Sequence, residues 1–378
     1  MTWYRTVAVG RKEFIQIWRD PRSLMIALFM PIMQMALIGY GVSLDIKHIP
    51  VCAFDRESSQ ESQALLKRFQ ASEYFNVLRV VDTYRAVAEG VDAGACKLAI
   101  VIPSDFSERL RDSSGTTVQA IVDGTDDNSA NVAIGYAQAV VSGYSNDVQL
   151  DWMRRQGLGQ QATVPLRVES RVWFNEDLQS KAFIIPGVVA LVMALIGALL
   201  SSLTIAREWE RGTMEQLIST PVTASEIMVG KLLPYFLIGL VDAALCVTIA
   251  VFWFAVPFRG TLGTLLFTTT LFLAVVLGVG YIISVLTRSQ LGASQIALIV
   301  TLLPTTLLGG FSFPIDQMPA AVRMITYIVY GRYYVSILKA IFLKGAGLSA
   351  LAPSVLALAL YAALIAVLAT RAFRKTLD

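Results

Sequence analysis

The pattern of hydrophobic and polar positions divides the chain into long apolar runs and one polar insertion. A helix needs about 20 apolar residues to cross a hydrocarbon core of roughly 30 Å. Prolines inside such a helix are tolerated when neighbouring helices satisfy the freed backbone groups. Runs of sufficient length predict six membrane-spanning helices, at Leu24–Leu44, Ala182–Ala206, Leu232–Val256, Leu262–Leu286, Leu291–Phe311 and Leu351–Thr370.

The polar insertion, about Asp45–Lys181, has the pattern of a folded domain. Strand-like apolar stretches alternate with helix-like ones, which favours an α/β layer with a mostly parallel sheet. Strands are predicted at 49–54, 75–81, 97–102, 118–122 and 164–173. Helices are predicted at 58–70 with Ser58 as the cap, at 84–93, at 105–111 with Ser104 as the cap, and at about 129–155. The predicted fold class is therefore a membrane all-α bundle of six transmembrane helices with an inserted α/β external (periplasmic) domain.

The positions of lysine and arginine predict how the bundle is oriented. Twelve of these residues fall in the N-terminal lead, in the turns after the second and fourth spans, and in the tail. The short segments on the opposite side hold five. Because short loops rich in Lys and Arg stay in the cytoplasm, both termini are predicted to be cytoplasmic, in a bacterial inner membrane. The insertion between the first two spans then lies outside the cell membrane.

These assignments divide the chain into nine segments. They are an amphipathic interfacial helix at 1–22, transmembrane helix one at 23–44, the external domain at 45–181, helix two at 182–206, a cytoplasmic loop at 207–231, helices three to five at 232–312, an external re-entrant or amphipathic segment at 313–347, helix six at 348–370 and a cytoplasmic tail at 371–378.

The composition of the chain narrows the classes of function that the protein could have. Hydrophobic residues make up 55% of the chain and charged residues 16%, whereas soluble domains carry about 25% charged residues. The net charge of +3 indicates no nucleic-acid partner, and one histidine and three cysteines match no metal-ligand spacing. The sequence contains no phosphate-binding GxxxxGK[ST] loop and no evident nucleophile–base pair. We therefore expect neither an enzyme nor a bound cofactor or metal in this chain.

Cys52 and Cys96 fall near strands that could be neighbours in the sheet. An oxidising periplasm would allow a disulfide between them. Small buried free cysteines are the alternative.

The stretch from Arg207 to Lys231 predicts a short amphipathic helix between two spans. Gly212 separates it from the second span, and Thr220-Pro221 ends it. Met214, Leu217 and Ile218 lie on one face at helical spacing, and Ser225 is predicted to cap the next span. On these residues alone, a connector lying on the lipid surface remains an alternative.

This stretch resembles the cytoplasmic loop of ABC-2-type transporter permeases, the membrane subunits of ATP-binding-cassette exporters. The shared pattern ExxxGTxExLxxTPxxxxExxxGK is carried here by Glu208, Gly212, Thr213, Glu215, Leu217, Thr220, Pro221, Glu226, Gly230 and Lys231. The lead from Arg11 to Leu24 is similar to the family's KExxxxxRDxxxL helix, and Gly310–Pro319 is similar to its GxxFPxxxMP segment. The large external insertion is typical of the multidrug-efflux-type branch. The chain departs from the usual pattern at Tyr330-Gly331, where a Pro-Ala or Pro-Thr pair is common.

The resemblance implies an assembly and a mechanism. Two permeases, identical or homologous, would form the pathway in the lipid bilayer, and two copies of an ABC ATPase subunit holding ATP and Mg²⁺ would dock beneath them. A periplasmic adaptor is a further expected partner. The helix at Gly212–Ser219 would be the coupling helix seated in the ATPase. Closure of the ATPase on ATP would then move the helices as semi-rigid bodies, a two-state transition. The residues that the resemblance assigns to coupling are Gly212, Thr213, Glu215 and Leu217, with Trp18, Arg19 and Asp20 flanking the joint.

A few polar residues inside the predicted spans are candidates for the transport pathway. Asp242 is an acid well inside the third span, where a charge is costly and therefore suggests function. A structural hydrogen bond is the alternative reading. Gln34, Thr305 and Thr306 could line a polar track, although such residues more often bond one helix to another.

Aromatic residues crowd the predicted external end of the fifth and sixth spans. Phe311, Phe313 and Pro314 are candidates for an external gate built from broken helices. An aromatic belt at the membrane interface is the competing interpretation.

The leading function is export of small amphipathic or hydrophobic, drug-like compounds, driven by ATP that a separate subunit hydrolyses. The alternative is a membrane receptor or sensor that binds a ligand with its external domain, although six spans without a signalling domain argue against it. An ion-coupled secondary transporter would normally show internal repeats and more intramembrane charges.

Overall fold

The computed structural model describes residues 3–41, 48–111, 116–155 and 180–373. It divides into two compact units. The inserted unit is Leu44–Ser170, and the helical unit combines Met1–Ser43 with Arg171–Asp378.

The helical unit begins with a helix and an apolar continuation. Helix α1 is Trp3–Trp18, α2 is Pro21–Leu24, a π-helical turn covers Met25–Phe29, and α3 is Met30–Gly41. The apolar part, Met25–Gly41, is shorter than the predicted first span, Leu24–Leu44. Residues 42–47 lie outside the described part of the chain, so the first span remains a prediction.

The inserted unit is a four-stranded sheet with helices on it. Strands β1 Ile49–Asp55, β2 Phe75–Val80, β3 Leu98–Ile102 and β4 Gln119–Val122 lie in the order β2-β1-β3-β4. Strand β1 is parallel to β2 and β3, and β4 is antiparallel to β3, which confirms the mostly parallel sheet. The helices are α4 Gln60–Ala71, α5 Tyr84–Asp92, α6 Phe106–Arg111 and α7 Asp127–Arg155. The predicted strand at 164–173 lies outside the described residues.

The two central strands are buried on both faces. Side chains alternate across a strand, so Val51 and Ile100 pack with α4, α6 and α7, whereas Cys52 and Ala99 lie in the cluster on the opposite face. The predicted cap of α4 is wrong by one residue. Ser59, not Ser58, accepts the bond from the Ser62 amide, because Ser58 has a left-handed backbone with φ 55°.

Cys52 and Cys96 form a disulfide, with their α-carbons 5.8 Å apart. Cys52 lies on β1, and Cys96 precedes β3, the strand that pairs with β1. Neighbouring strands bring the two residues within disulfide range, so the free-cysteine alternative is wrong.

The remaining helical unit carries the long apolar helices. In order, they and their connectors are α8 Ser180–Glu210, α9 Met214–Ser219, α10 Ala224–Thr248 with a π-helical extension Ile249–Trp253, α11 Leu262–Thr287, α12 Gln290–Leu308, α13 Ala320–Thr326, α14 Tyr330–Lys339 with a π-helical extension Ala340–Lys344, and α15 Leu348–Ala372. Five of them, α8, α10 with its extension, α11, α12 and α15, are long and apolar enough to cross a membrane. They match five of the six predicted spans.

Helix α8 is the centre of this unit. It is apolar around its whole circumference and nearly all of it is buried, which is the pattern of a core helix. Helices α3, α10, α11, α12 and α14 pack around it. Helix α11 lies close against it at Gly280, where a Cβ atom would lie 2.6 Å from the Ala198 carbonyl. The Ser284 hydroxyl also accepts the amides of Ile205 and Ala206, both at 2.9 Å, and bonds α11 to α8.

Candidate coupling site

The short helix α9 is held between α8 and α10 by a tight reversal. Gly212 has φ 66°, a left-handed conformation that suits a residue without a Cβ atom. The Gly212 amide donates to the Trp209 carbonyl at 3.1 Å, and the Thr213 amide donates to the Glu208 carbonyl at 3.0 Å. The predicted helix at Gly212–Ser219 is thus observed as Met214–Ser219.

Helix α9 has an inner and an outer face. Met214 is buried, and Leu217 and Ile218 pack beside it on Ile205 and Ile227. Glu215 is exposed. The apolar side is therefore occupied by the protein's own core, and Leu217 belongs to that side.

The outer face of α9 is small and polar. Gln216 and Ser219 are exposed together with Glu215. The exposed surface of α9 is thus made by these three residues.

A buried network of charges lies beside α9, and sequence reasoning missed it. Lys231 of α10 donates to Glu13 of α1 and to Glu208 of α8, both at 2.9 Å. The side chains of all three are at most 3% exposed. Lys12 donates to the same Glu208 oxygen at 2.9 Å, and the Tyr235 hydroxyl donates to Glu13 at 3.0 Å. Two lysines and two glutamates neutralise one another at the junction of three helices.

The network reaches α9 through Thr213. The Thr213 hydroxyl donates to the second carboxylate oxygen of Glu208. Thr213 directly precedes α9, and its side chain makes no capping bond to that helix. Its hydroxyl therefore bonds α9 to the charge network rather than stabilising α9 itself.

Two glycines let α1 lie directly on α10. A Cβ atom at Gly230 would lie 2.8 Å from the Val9 Cβ and 2.9 Å from the Thr6 carbonyl. A Cβ atom at Gly10 would lie 3.2 Å from the Gly230 carbonyl. This close crossing brings Glu13 within reach of Lys231.

The start of α10 differs from the predicted cap. Thr223, not Ser225, is the N-cap, and it forms a capping box with Glu226. The Glu226 amide donates to the Thr223 hydroxyl, and the Glu226 carboxylate accepts the Thr223 amide at 2.9 Å. The T-x-x-E spacing that makes this box was present in the sequence.

The three residues predicted to flank the joint have different environments. Asp20 forms an ion pair with the buried Arg207 at 3.6 Å. Trp18 is 69% exposed and stacks on Phe14, and Arg19 is exposed. Asp20 thus connects the N-terminal segment to α8, while Trp18 and Arg19 project from it.

The pathway candidates lie on three helices, with Gln34 on α3, Asp242 on α10, and Thr305 and Thr306 on α12. Asp242 is 1% exposed and accepts a bond from Cys246 Sγ at 3.7 Å. Within the described residues, the Gln34 Oε1 atom and the hydroxyls of Thr305 and Thr306 have no hydrogen-bond partner.

The gate candidates separate into one buried and two exposed residues. Phe311 packs against α8 at Gly187, where a Cβ atom would collide with the Phe311 Cβ. Phe313 and Pro314 are exposed. Lys339 of α14 donates to the Gly310 carbonyl at 2.7 Å, and burial lowers the pKa of its ammonium to about 8. These contacts hold the segment after α12 onto α8 and α14.

Comparison with known proteins agrees with this architecture. Residues 23–371 match the sequence profile of the family described as ABC-2 family transporter protein. The probable multidrug ABC transporter permease YbhS of Escherichia coli is 39% identical over 347 residues, covering 91% of this chain and 90% of that protein. The probable multidrug ABC transporter permease YbhR of Escherichia coli is 28% identical, with 92% of each chain covered. The inner membrane transport permease YhhJ of Escherichia coli is 28% identical, covering 98% of this chain and 96% of that protein. Its long apolar helices pack around α8, and its connector α9 lies beside a buried charge network. The chain belongs to the ABC-2 family of transporter proteins.

Proposed function

We propose that the protein is the membrane-spanning permease subunit of an ABC exporter and that a separate subunit hydrolyses the ATP. The observation that carries this proposal is α9, whose inner face packs on its own bundle and whose polar outer face is free for a partner. Family membership supports the same role. The absence of a GxxxxGK[ST] loop from the sequence is consistent with ATP being bound elsewhere.

The proposed complex contains two permeases, identical or homologous, and two ATPase subunits. Each ATPase receives one α9 helix, with Glu215 and Gln216 as the principal contacts. Trp18 and Arg19 project from the neighbouring α1 segment and flank the contact. Leu217 acts from the inner face by fixing α9 against the bundle.

The proposed orientation places both termini and α9 in the cytoplasm of a bacterium, with the chain in its inner membrane. It follows from the excess of lysine and arginine on that side. The apolar segment Met25–Gly41 would belong to the first span of a six-span bundle. The inserted unit then lies in the periplasm, where a disulfide such as Cys52–Cys96 forms readily and where an adaptor could bind.

The proposed cargo is a small amphipathic or hydrophobic compound of the drug-like class. The printed names of two relatives contain the word multidrug. Asp242, Gln34, Thr305 and Thr306 are proposed pathway residues. Asp242 is a buried acid, and the Gln34 Oε1 atom and the hydroxyls of Thr305 and Thr306 have no partner among the described residues. Polar groups of these kinds are expensive inside a membrane and by default suggest function. Phe311 is the proposed external gate residue, with Phe313 and Pro314 in the exposed segment beside it.

A transport assay in inverted membrane vesicles tests this function. The permease and its ATPase subunit are expressed together, and uptake of a fluorescent hydrophobic cation is followed with and without ATP. We expect uptake only when both subunits and ATP are present. Uptake that is independent of the ATPase, or ligand binding without any transport, would support a secondary transporter or a receptor instead.

A further inference from the structure

The charge network joins the coupling helix to three other helices through one carboxylate. Glu208 of α8 accepts the Thr213 hydroxyl with one oxygen, and Lys231 and Lys12 with the other. The Thr213 amide also donates to the Glu208 carbonyl. The start of α9 is therefore bonded twice to the same residue.

From Glu208 the contacts continue without interruption to α1 and α10. Lys231 bridges Glu208 to Glu13, and it also lies 3.4 Å from the Thr204 carbonyl of α8. Tyr235, one turn after Lys231, donates to the other oxygen of Glu13. A displacement of α9 that moves Thr213 therefore acts on α8, α10 and α1 together.

Burial makes this connection stiff. Glu13, Glu208 and Lys231 are almost completely inaccessible to water, so water cannot easily replace a broken bond. Separating one partner leaves an uncompensated buried charge, which is strongly unfavourable. The helices that share the network should thus move as one body when α9 moves.

We infer that Glu208 is a positioning residue that transmits the movement of α9 to α1, α8 and α10 through the Thr213–Glu208–Lys231–Glu13 contacts. This inference rests on the proposed function, because the movement is the one that ATP binding in the partner would drive. The role assigned to Glu208 is positional and requires no contact with ATP or with the transported compound. Its role is to make α9 and the three helices move together as one rigid body.

The substitution Thr213→Val isolates this connection. Valine has nearly the same shape as threonine and lacks the hydroxyl, and that hydroxyl does not cap α9. Thr213→Ser restores a hydroxyl and is the conservative rescue. Thr370→Val is the matched control, because Thr370 is exposed and its hydroxyl bonds only within its own helix, to the Val367 carbonyl at 2.9 Å.

The measured quantity is the number of molecules transported per ATP hydrolysed by the intact complex in vesicles. We expect Thr213→Val to hydrolyse ATP while that ratio falls about tenfold, within the usual size of coupling between two sites. Thr213→Ser and Thr370→Val should keep the wild-type ratio. If Thr213→Val does not accumulate, Glu208→Gln replaces it, since the amide has the same volume but lacks the charge, and the ratio should fall likewise.

An unchanged ratio in Thr213→Val, or in Glu208→Gln when it replaces that variant, would overturn the inference while leaving the proposed function intact. Wild-type complex that hydrolyses ATP without any ATP-dependent transport would instead contradict the proposed function, and the inference with it.

Discussion

Lys231 shows how a single buried charge can organise the junction of three helices. Its ammonium group lies 2.9 Å from carboxylate oxygens of both Glu13 and Glu208. An isolated ammonium in such a place would be expensive, and two carboxylates with a backbone carbonyl supply the bonds that water would otherwise provide. The residue therefore depends on α1 and α8 both being in place.

Replacing Lys231 by methionine should destabilise the protein by about 3 kcal/mol, because Glu13 is left buried without a counter-charge. The double variant Glu13→Gln, Lys231→Met should be more stable than Lys231→Met alone. In it, the neutral amide can still accept the Tyr235 hydroxyl, and Glu208 keeps its ion pair with Lys12. Thermal unfolding in detergent compares the stabilities of the purified variants. A double variant no more stable than Lys231→Met alone would contradict this prediction.

At this scale the sequence motifs include residues of the charge network but do not show their contacts. Glu208 and Lys231 are motif positions, and Glu13 lies in the lead that resembles the family's first helix. Lys231 and Glu13 are 218 positions apart, and no local periodicity reports a pair so distant. The family resemblance instead assigned coupling to Gly212, Thr213, Glu215 and Leu217, because a shared motif identifies positions along the chain but not the side chains that they contact.

The contact of α1 with α10 depends on their backbones coming close together. At Gly230 the space for a side chain is filled by Val9 and by the Thr6 carbonyl. At Gly263, near the start of α11, no atom of the described residues lies within 4 Å of the place that a Cβ atom would take. The two glycines therefore provide a matched pair in the same unit.

Gly230→Ala should push α1 away from α10 and lower the free energy of unfolding by about 1–3 kcal/mol, the usual cost of overpacking. Gly263→Ala should be neutral or slightly stabilising, since alanine favours a helix over glycine by about 1 kcal/mol. Unfolding midpoints in detergent compare the two. Equal midpoints would show that α1 accommodates the methyl group without loss.

The disulfide closes a loop between residues separated by 44 positions. Loop-closure entropy for that length corresponds to about 4 kcal/mol, so Cys52→Ser with Cys96→Ser should markedly destabilise the inserted unit. Mass labelling of thiols in denatured protein checks directly whether Cys52 and Cys96 are paired. One labelled cysteine, Cys246, is expected before reduction and three after it; three before reduction would contradict the pairing.

At the scale of elements, local patterns predicted most of what the structure contains. Long apolar runs located five long helices, and short apolar stretches between helix-like segments located β1 to β4. The caps of α4 and α10 were displaced by one and two residues, since several neighbouring serines and threonines could each cap a helix. Burial of α8 at the centre was not foreseen, because lipid-facing and core-facing apolar positions look alike in sequence.

The whole molecule combines a bundle built around α8 with an inserted α/β unit in the same chain. The bundle offers a small polar surface on α9 and holds it in place through buried contacts. The ATPase partner is proposed to bind the polar surface, and the buried contacts are proposed to pass its movement to the bundle. The central claim is that the exposed side of α9 binds the ATPase subunit.

Co-purification of the ATPase subunit with charge-reversed variants tests that claim most directly. Glu215→Arg changes the outer face of α9, and Glu108→Arg makes the same reversal at an exposed position of the inserted unit. Each variant is purified from membranes that also contain the ATPase, and the amount of ATPase bound per permease is measured. We predict at least a tenfold loss of bound ATPase for Glu215→Arg, the effect of about 1.4 kcal/mol on an equilibrium, and no loss for Glu108→Arg. Full retention of the ATPase by Glu215→Arg would contradict the account.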